Sequence, residues 1–359
     1  MHRTFFSYSF GCRVNEAEKQ LIDRTLLDAG FSWDEKKPTF YIINSCAVTG
    51  KAEREVRQHV YQIRKKFPET KIIATGCSAT LWMKNNALLK EVDYWIDNRK
   101  KLSIHELLIS LSKQQSKDAT KKYSDKFINA GRMIVKIQDG CDWSCSYCIV
   151  PLLRQPVKSE KISDIIKLIR NNKLPISEVV LTAINTRLFG RETGETLTQL
   201  LNMILVRTKI ERVSFGSIHP SSITPEFLIW YKKNKDNPRF VHFFHIPVQS
   251  GSDTVLKRMN RRYTTRKILN TLEQLHHVDP HALIATDVIV GFPGETEKEF
   301  QETYEFLKKS PISKFHVFRY SPLLGTVAIN LLNELTYQVK KERSKKLIEL
   351  SERKMKITT

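Results

Sequence analysis

Several things are scarce in this chain of 359 residues, and each scarcity excludes a class. No apolar run approaches the ~18 residues that a membrane-spanning helix needs, so no bilayer segment is expected. The opening Met1-His2-Arg3-Thr4-Phe5-Phe6 soon turns polar and carries no signal-peptide core, which points to a cytoplasmic protein. Cysteine is limited to six residues, and they are not scattered as a bridging set, which argues against a disulfide framework. The ten histidines show no metal-ligand spacing, and His276-His277 reads as a helix surface or end. Acid is short as well: 38 Asp+Glu stand against 59 Lys+Arg, a formal charge of +21. Such an excess favours a polyanionic partner, nucleic acid being the usual one, or else marks a lysine-rich surface. Phosphate contacts position a partner without specifying its sequence.

Half of the scarce cysteine is concentrated in one loop. Gly-Cys-Asp-Trp-Ser-Cys-Ser-Tyr-Cys-Ile-Val-Pro sets Cys141, Cys145 and Cys148 in a C-x3-C-x2-C spacing. Three thiolates so close can hold three corners of a cubane iron–sulfur cluster and leave the fourth iron open. Electron-carrying clusters generally have four cysteine ligands, so an open iron implies chemistry at the cluster. A structural zinc wants four N/S ligands, and no fourth is adjacent.

The first hundred residues alternate strand and helix patterns: strands at Thr4–Ser9, Phe40–Asn44 and Lys71–Thr75, helices at Asn15–Ala29 and Gly50–Phe67. Repeated βα units argue for a doubly wound parallel sheet. Cys12, Cys46 and Cys77 each follow one of these strands. The strand-to-helix turns of a parallel sheet share one edge, the edge that binds ligands. The three cysteines therefore converge, either as a second trio of cluster ligands or as buried small apolar side chains. Residues 112–127 are polar and aperiodic and read as a linker. Beyond them, strands at Met133–Ile137, Glu178–Thr182, Arg212–Ser214, His242–Ile246, Leu283–Val290 and Lys314–Phe318 alternate with helices at Ile162–Arg170, Leu197–Val206, Thr264–His276 and Glu297–Lys308. Six βα units fit a partial (β/α)6 barrel, whose functional groups sit on loops after the strands. The expected class is α/β: an N-terminal doubly wound parallel-sheet domain, 1–111; the linker, 112–127; a barrel, 128–330; and a basic helical tail, 331–359.

These residues together resemble the methylthiotransferases of the radical S-adenosylmethionine (AdoMet) superfamily. The matching segments are 11–15 (Gly-Cys-Arg-Val-Asn), 44–49 (Asn-Ser-Cys-Ala-Val-Thr), 75–77, the cysteine loop through Pro151, 245–252, 291–296 and 318–322. The forms of the first two are similar to the subgroup that acts on N6-threonylcarbamoyladenosine (t6A) in tRNA. The resemblance implies a radical AdoMet barrel and two [4Fe–4S] clusters. One, on Cys141, Cys145 and Cys148, cleaves AdoMet; the other, on Cys12, Cys46 and Cys77, carries the sulfur. The implied enzyme is a tRNA (N6-L-threonylcarbamoyladenosine-C2)-methylthiotransferase acting at position 37, beside the anticodon. It would need a flavodoxin- or ferredoxin-type electron donor and a sulfur source, and would work as a monomer. The alternatives are a methylthiotransferase acting on isopentenyladenosine or on a ribosomal-protein aspartate, and a non-enzymatic Fe–S redox or RNA-binding protein. An aromatic C2–H is too weakly acidic for ordinary acid–base removal, which is why radical chemistry suits the reaction.

Other residues take softer roles. Tyr147 leans on the AdoMet adenine or packs the loop. Gly291, Phe292 and Pro293 line the adenine pocket or form a tight turn. Gln249 and Ser250 touch AdoMet or the target base. Arg154 meets an AdoMet carboxylate or an RNA phosphate. Lys257, Arg258, Arg261 and Arg262 form a phosphate-binding patch or a solvated helix end. Asp287 is read as a support. Gln155 and Ala183 replace glycines usual in the family. The family's small C-terminal RNA-binding barrel, the TRAM domain, has no counterpart here, so RNA binding is expected to rest on the basic surface and tail.

Overall fold

The computed structural model describes residues 3–112, 131–172 and 174–358. All but Ser112 of the expected linker, and the expected start of the barrel at 128, lie outside them. The elements in chain order are β1 (Thr4–Ser9), α1 (Arg13–Asp28), β2 (Ser32–Trp33), β3 (Phe40–Ser45), α2 (Gly50–Lys66), β4 (Lys71–Thr75), α3 (Gly76–Lys84), β5 (Tyr94–Trp95), α4 (Ile104–Leu111), β6 (Arg132–Asp139), α5 (Val150–Leu153), β7 (Lys158–Ser159), α6 (Ile162–Arg170), β8 (Glu178–Ala183), α7 (Leu197–Arg207), β9 (Arg212–Phe215), α8 (Pro225–Asn234), β10 (Phe243–His245), α9 (Asp253–Arg258), α10 (Thr265–Val278), β11 (Leu283–Val290), α11 (Glu297–Lys309), β12 (Lys314–Arg319) and α12 (Tyr337–Thr358).

The first five strands form one all-parallel sheet in the order β2-β1-β3-β4-β5. β3 is central, and all six of its residues, Phe-Tyr-Ile-Ile-Asn-Ser, are buried, as a strand covered on both faces must be. Its pleat splits the core in two. Phe40 and Ile42 pack with Ile22, Leu26 and Phe31 on one face, and Tyr41 and Ile43 pack with Val56, Val60 and Ile63 on the other. The last three lie one helical stripe apart on α2, whose other positions are mainly charged.

The second half holds six parallel strands in sequence order, split into β7-β6-β8-β9, with β7 antiparallel at the edge, and β10-β11-β12. Between the two sheets, Val213 of β9 makes an isolated parallel bridge to Phe240, which precedes β10. The expected α/β class holds, with six strands curved around one apolar core. Capping boxes start α7 (Thr196 with Gln199) and α11 (Thr296 with Glu299).

The C-terminal segment, expected as a basic helical tail, is a helix that also packs into the core. α12 lies along β12 and α11, and Leu347 and Leu350 belong to the main core. Two of its cations are buried and paired: Lys340 with Glu334 and Arg343 with Glu295. Those charges are not free for phosphate.

The two halves are joined by a buried polar junction, where α1 lies across β6 and β8. Glu18 of α1 accepts from both guanidinium nitrogens of Arg154 at 3.0 Å and from Lys136 at 2.8 Å, and Lys101 also binds it. Arg154 donates further to Asp139 at 3.0 Å and to Asn15 at 2.8 Å. The side chains of Arg154 and Glu18 are 1% and 2% exposed. Burial alone would raise the Glu18 pKa, but Lys101, Arg154 and Lys136 hold it well below the usual carboxylate range. Arg154, expected at a phosphate or an AdoMet carboxylate, is therefore an internal anchor: its hydrogen bonds go to protein groups and solvent does not reach it. Removing one partner of a buried pair leaves an uncompensated charge and costs about 3–5 kcal/mol. Arg154→Ala should lower unfolding stability by about that amount, read by chemical denaturation.

Candidate active site

Both cysteine trios sit at strand C-termini, and each is positioned by local backbone. Cys12 caps α1 in extended conformation (φ −79°, ψ 161°). Cys46 directly follows β3, and Cys77 is the second residue of α3, after β4. The turn before Cys12 needs glycine twice over. Gly11 has φ +80°, and a Cβ there would overlap Cys46 Sγ. In the second half, β6 runs straight into the loop carrying Cys141, Cys145 and Cys148. All six cysteines are free thiols.

One cavity of about 590 Å³ takes its walls from both halves, and Cys12, Cys46, Cys141, Cys145 and Cys148 all line it. Cys77 lies just behind, among Ala47, Ile149, Leu153 and Leu323, an apolar group that spans the two halves. Within each trio the thiols are electrostatic neighbours. Burial and the nearby Cys12 push Cys46 up to about 12. Burial, with Cys145 and Cys141 close by, pushes Cys148 up to about 12. Burial and Cys77 raise Cys12, against the pull of Arg154. Neither trio gathers its sulfurs within 4.8 Å of one another; among the described residues the only set of possible metal-ligand atoms that close is His245, Asp287 and His316. Wider sulfur triangles do not suit a single tetrahedral ion. They do suit a cluster whose ligands sit on separate irons.

Nitrogen donors surround the second trio. Cys141 Sγ accepts from the Trp143 backbone N–H and from Asn185 Nδ2, both at 3.4 Å, and Cys145 Sγ accepts from Arg261 Nη1 at 3.4 Å. Such hydrogen bonds temper the negative charge on cluster sulfurs. Buried Trp143 Nε1 and His219 Nε2 have no partner among the described residues. His219 Nδ1 accepts from the Ser221 N–H, and burial with Arg261 and Arg187 nearby lowers its pKa to about 3, so Nε2 carries the proton of a neutral ring. Two orphaned N–H donors beside a guanidinium suit an anionic or carbonyl ligand. Thiol triads, a large cavity and these donors fit iron–sulfur clusters together with an AdoMet-sized ligand.

The expected site residues divide. Tyr147 and Gln249 line the cavity. The Tyr147 phenol is 3.4 Å from Arg261, and burial keeps it protonated. Gln249 has φ +73° and bridges to β11 through its backbone. Ser250 is corrected: it is fully buried, and its hydroxyl is engaged by Thr303 and the Ser252 N–H. Gly291, Phe292 and Pro293 are corrected too, since none of them lines the cavity. Gly291 donates to Glu295, the aliphatic stem of Lys340 covers its α-carbon, and Phe292 is fully buried among Val255, Met259 and Tyr320. The basic patch breaks up. Arg258 forms a two-bond pair with Glu299, and Arg261 turns inward to Cys145 and Tyr147. Lys257 and Arg262 remain exposed, the latter over the Trp143 ring at 5.6 Å. Gln155, in a usual glycine position, donates to the Cys141 carbonyl at 2.8 Å. Trp143, His219, His245 and His316 were not among the residues singled out from the sequence, although functional groups were expected on the loops after the barrel strands.

Residues 135–307 match the Radical SAM superfamily, and residues 4–97 match the uncharacterized protein family UPF0004. The threonylcarbamoyladenosine tRNA methylthiotransferase MtaB of Thermotoga maritima is 34% identical over 349 residues, which are 93% of this chain and 79% of that protein. The chain belongs to the radical AdoMet methylthiotransferase family. Its MtaB relative in Aquifex aeolicus is 33% identical over 96% of this chain and 87% of that protein. The ribosomal protein uS12 methylthiotransferase RimO of Alkaliphilus oremlandii is 32% identical over 96% of this chain and 81% of its own length. Among solved structures, the radical AdoMet methyltransferase TsrM of Kitasatospora setae shares the fold, with a TM-score of 0.65 at 11% identity over 92% of this chain and 77% of that one. Methylthiotransferases of this family use AdoMet and [4Fe–4S] clusters.

Two outcomes follow for the methylthiotransferase site. Gly11→Ala drives a methyl group into the Cys46 thiol. It should cut iron uptake on reconstitution by about half, with the loop trio still loaded, read by iron and sulfide assay. Because Cys46 and Cys148 are pushed up to about 12, both are protonated at neutral pH. Metal loading must then release protons, seen as buffer-dependent heat in calorimetry, and should weaken as pH falls.

Proposed function

We propose that this chain adds a methylthio group to C2 of t6A at position 37 of tRNA. The observation that carries the reading is that two cysteine trios from separate halves meet at one cavity, with five of the six cysteines lining it and Cys77 just behind. Insertion of a sulfur has use for a second such trio, facing the same substrate. We assign the AdoMet-binding cluster to Cys141, Cys145 and Cys148 and the sulfur-carrying cluster to Cys12, Cys46 and Cys77. The choice of t6A is supported by relatives named for that nucleoside at 31–34% identity. The +21 charge supports a polyanionic substrate. No helix among the described residues is long and apolar enough to cross a membrane. We place the enzyme in the cytoplasm as a monomer, served by a flavodoxin- or ferredoxin-type donor and a sulfur source.

The bound groups supply one-electron AdoMet cleavage and the sulfur atom. The chain's residues do the rest. Trp143, Asn185 and Arg261 hold the loop sulfurs through N–H donors. Arg261, paired with Tyr147 and Tyr263, keeps a fixed positive charge beside the reacting space. Val14, Val150, Ile184 and Ile218 give the cavity an apolar lining.

Reconstituted protein incubated with AdoMet, a reductant and t6A-bearing tRNA should yield the 2-methylthio nucleoside, detected by mass spectrometry of digested RNA. Cys12→Ala should abolish the product while AdoMet cleavage persists; Cys145→Ala should abolish both. Methylthiolation of isopentenyladenosine in preference to t6A, or of no RNA, refutes the substrate assignment.

A further inference from the structure

The cavity wall away from the cysteine loop carries a side-chain array that none of these roles uses. Asp287 lies between two imidazoles: its Oδ1 is 2.9 Å from His245 Nε2 and 3.5 Å from His316 Nδ1. His245 Nδ1 is 2.6 Å from Ser217 Oγ, and the two imidazole rings stack with centroids 5.1 Å apart. The three side chains come from successive strands β10, β11 and β12, and all of them, with Ser217, line the cavity. Register places Asp287 directly beside His316. Two residues on from His316, hence on the same face of β12, Phe318 is 43% exposed and also lines the cavity.

A divalent ion is the first ligand such a cluster suggests, but the hydrogen-bond pattern opposes it. Burial would raise the Asp287 pKa, yet the hydrogen bonds from His245 and His316 hold it below the usual range, so it is an ionised acceptor. Both facing imidazole nitrogens are then N–H donors to it and have no lone pair for a metal. Ser217 occupies the remaining nitrogen of His245. Only His316 Nε2 is left for a ligand, next to an open aromatic face. A hydrogen-bonding edge beside an exposed ring is how proteins take an unstacked nucleobase.

Resting on the tRNA-adenosine reading above, we propose that His316, oriented by Asp287 and His245, hydrogen-bonds N3 of the target purine while the base lies against Phe318. N3 is the ring nitrogen beside C2 on the side away from the N6 substituent. Gripping it sets C2, the carbon to be modified, toward the space between the two cysteine trios. In this arrangement His316 is the imidazolium that ion-pairs with Asp287, and it donates from Nδ1 to Asp287 and from Nε2 to the purine. It is a positioning residue and takes no part in AdoMet cleavage.

The test pairs a protein change with a ligand change. The cluster-reconstituted full chain is titrated with anticodon stem-loops carrying t6A or its 3-deaza counterpart, in which N3 is a C–H, and binding is read by fluorescence anisotropy. The 3-deaza replacement should weaken wild-type binding about tenfold. His316→Leu should cost a similar factor, and the two losses should not add. His316→Gln keeps an N–H donor and should recover most of the binding. In turnover, His316→Leu should still release 5′-deoxyadenosine but form less methylthio product per cleavage. Equal wild-type binding of the two stem-loops, or a 3-deaza loss that persists in full in His316→Leu, overturns the proposal alone. A stoichiometric divalent ion that is lost in Asp287→Asn also overturns it, in favour of a metal site. Failure of the t6A stem-loop to bind any form of the chain overturns the tRNA reading with it.

Discussion

Everything at the reacting space depends on how Glu18 is neutralised. A carboxylate withdrawn from water is tolerable only with several well-placed cations. Arg154, Lys101 and Lys136 supply them from three separate stretches of chain, with Asp139 and Asn15 completing the guanidinium's partners. Those bonds can be satisfied together in one docking of the two halves. Asn15 lies three residues beyond Cys12, and Asp139 two residues before Cys141. The junction that neutralises Glu18 therefore also sets the distance between the trios. Its positive charge reaches the first trio: the Cys77 thiol helps raise the Arg154 pKa, and Arg154 draws down that of Cys12.

The cavity gives radical chemistry the two things that it needs. One is an apolar lining, from side chains contributed by both halves. The other is a set of preformed donors, made before any ligand arrives: N–H groups on the cysteine sulfurs, orphaned N–H groups on Trp143 and His219, and the Asp287-centred array opposite. Preformed donors in a low-dielectric site need little reorganisation when charge develops.

Much of this was legible in the sequence. Thr4–Ser9, Lys71–Thr75, Ile162–Arg170 and Leu283–Val290 have the bounds that apolar periodicity predicted. α1 begins at Arg13 rather than Asn15, because Cys12 itself serves as the N-cap. The misreadings share one cause. Arg154, Ser250, Phe292 and Arg258 sit in motifs that suggest contact with a ligand, but each spends its hydrogen bonds or its surface on a partner distant in sequence: Glu18, Thr303, Tyr320 and Glu299 respectively. A local motif reports that a residue matters at that position and cannot report which way the side chain turns. The histidines show the converse. Nothing in their spacing groups His245 with His316, 71 positions apart by number; strand order and pleat bring them to one carboxylate.

The amino-acid sequence alone determined the class of chemistry. Cysteine spacing within a short loop needs no tertiary information, and strand–helix alternation puts strand-end cysteines on one edge whatever the packing. Which basic residues face solvent, how the two halves dock and which wall of the cavity can hold a base were decided only on folding. Those properties depend on desolvation and on partners far away along the chain. Burial turns a cation such as Arg154 from an available ligand group into an internal counter-ion.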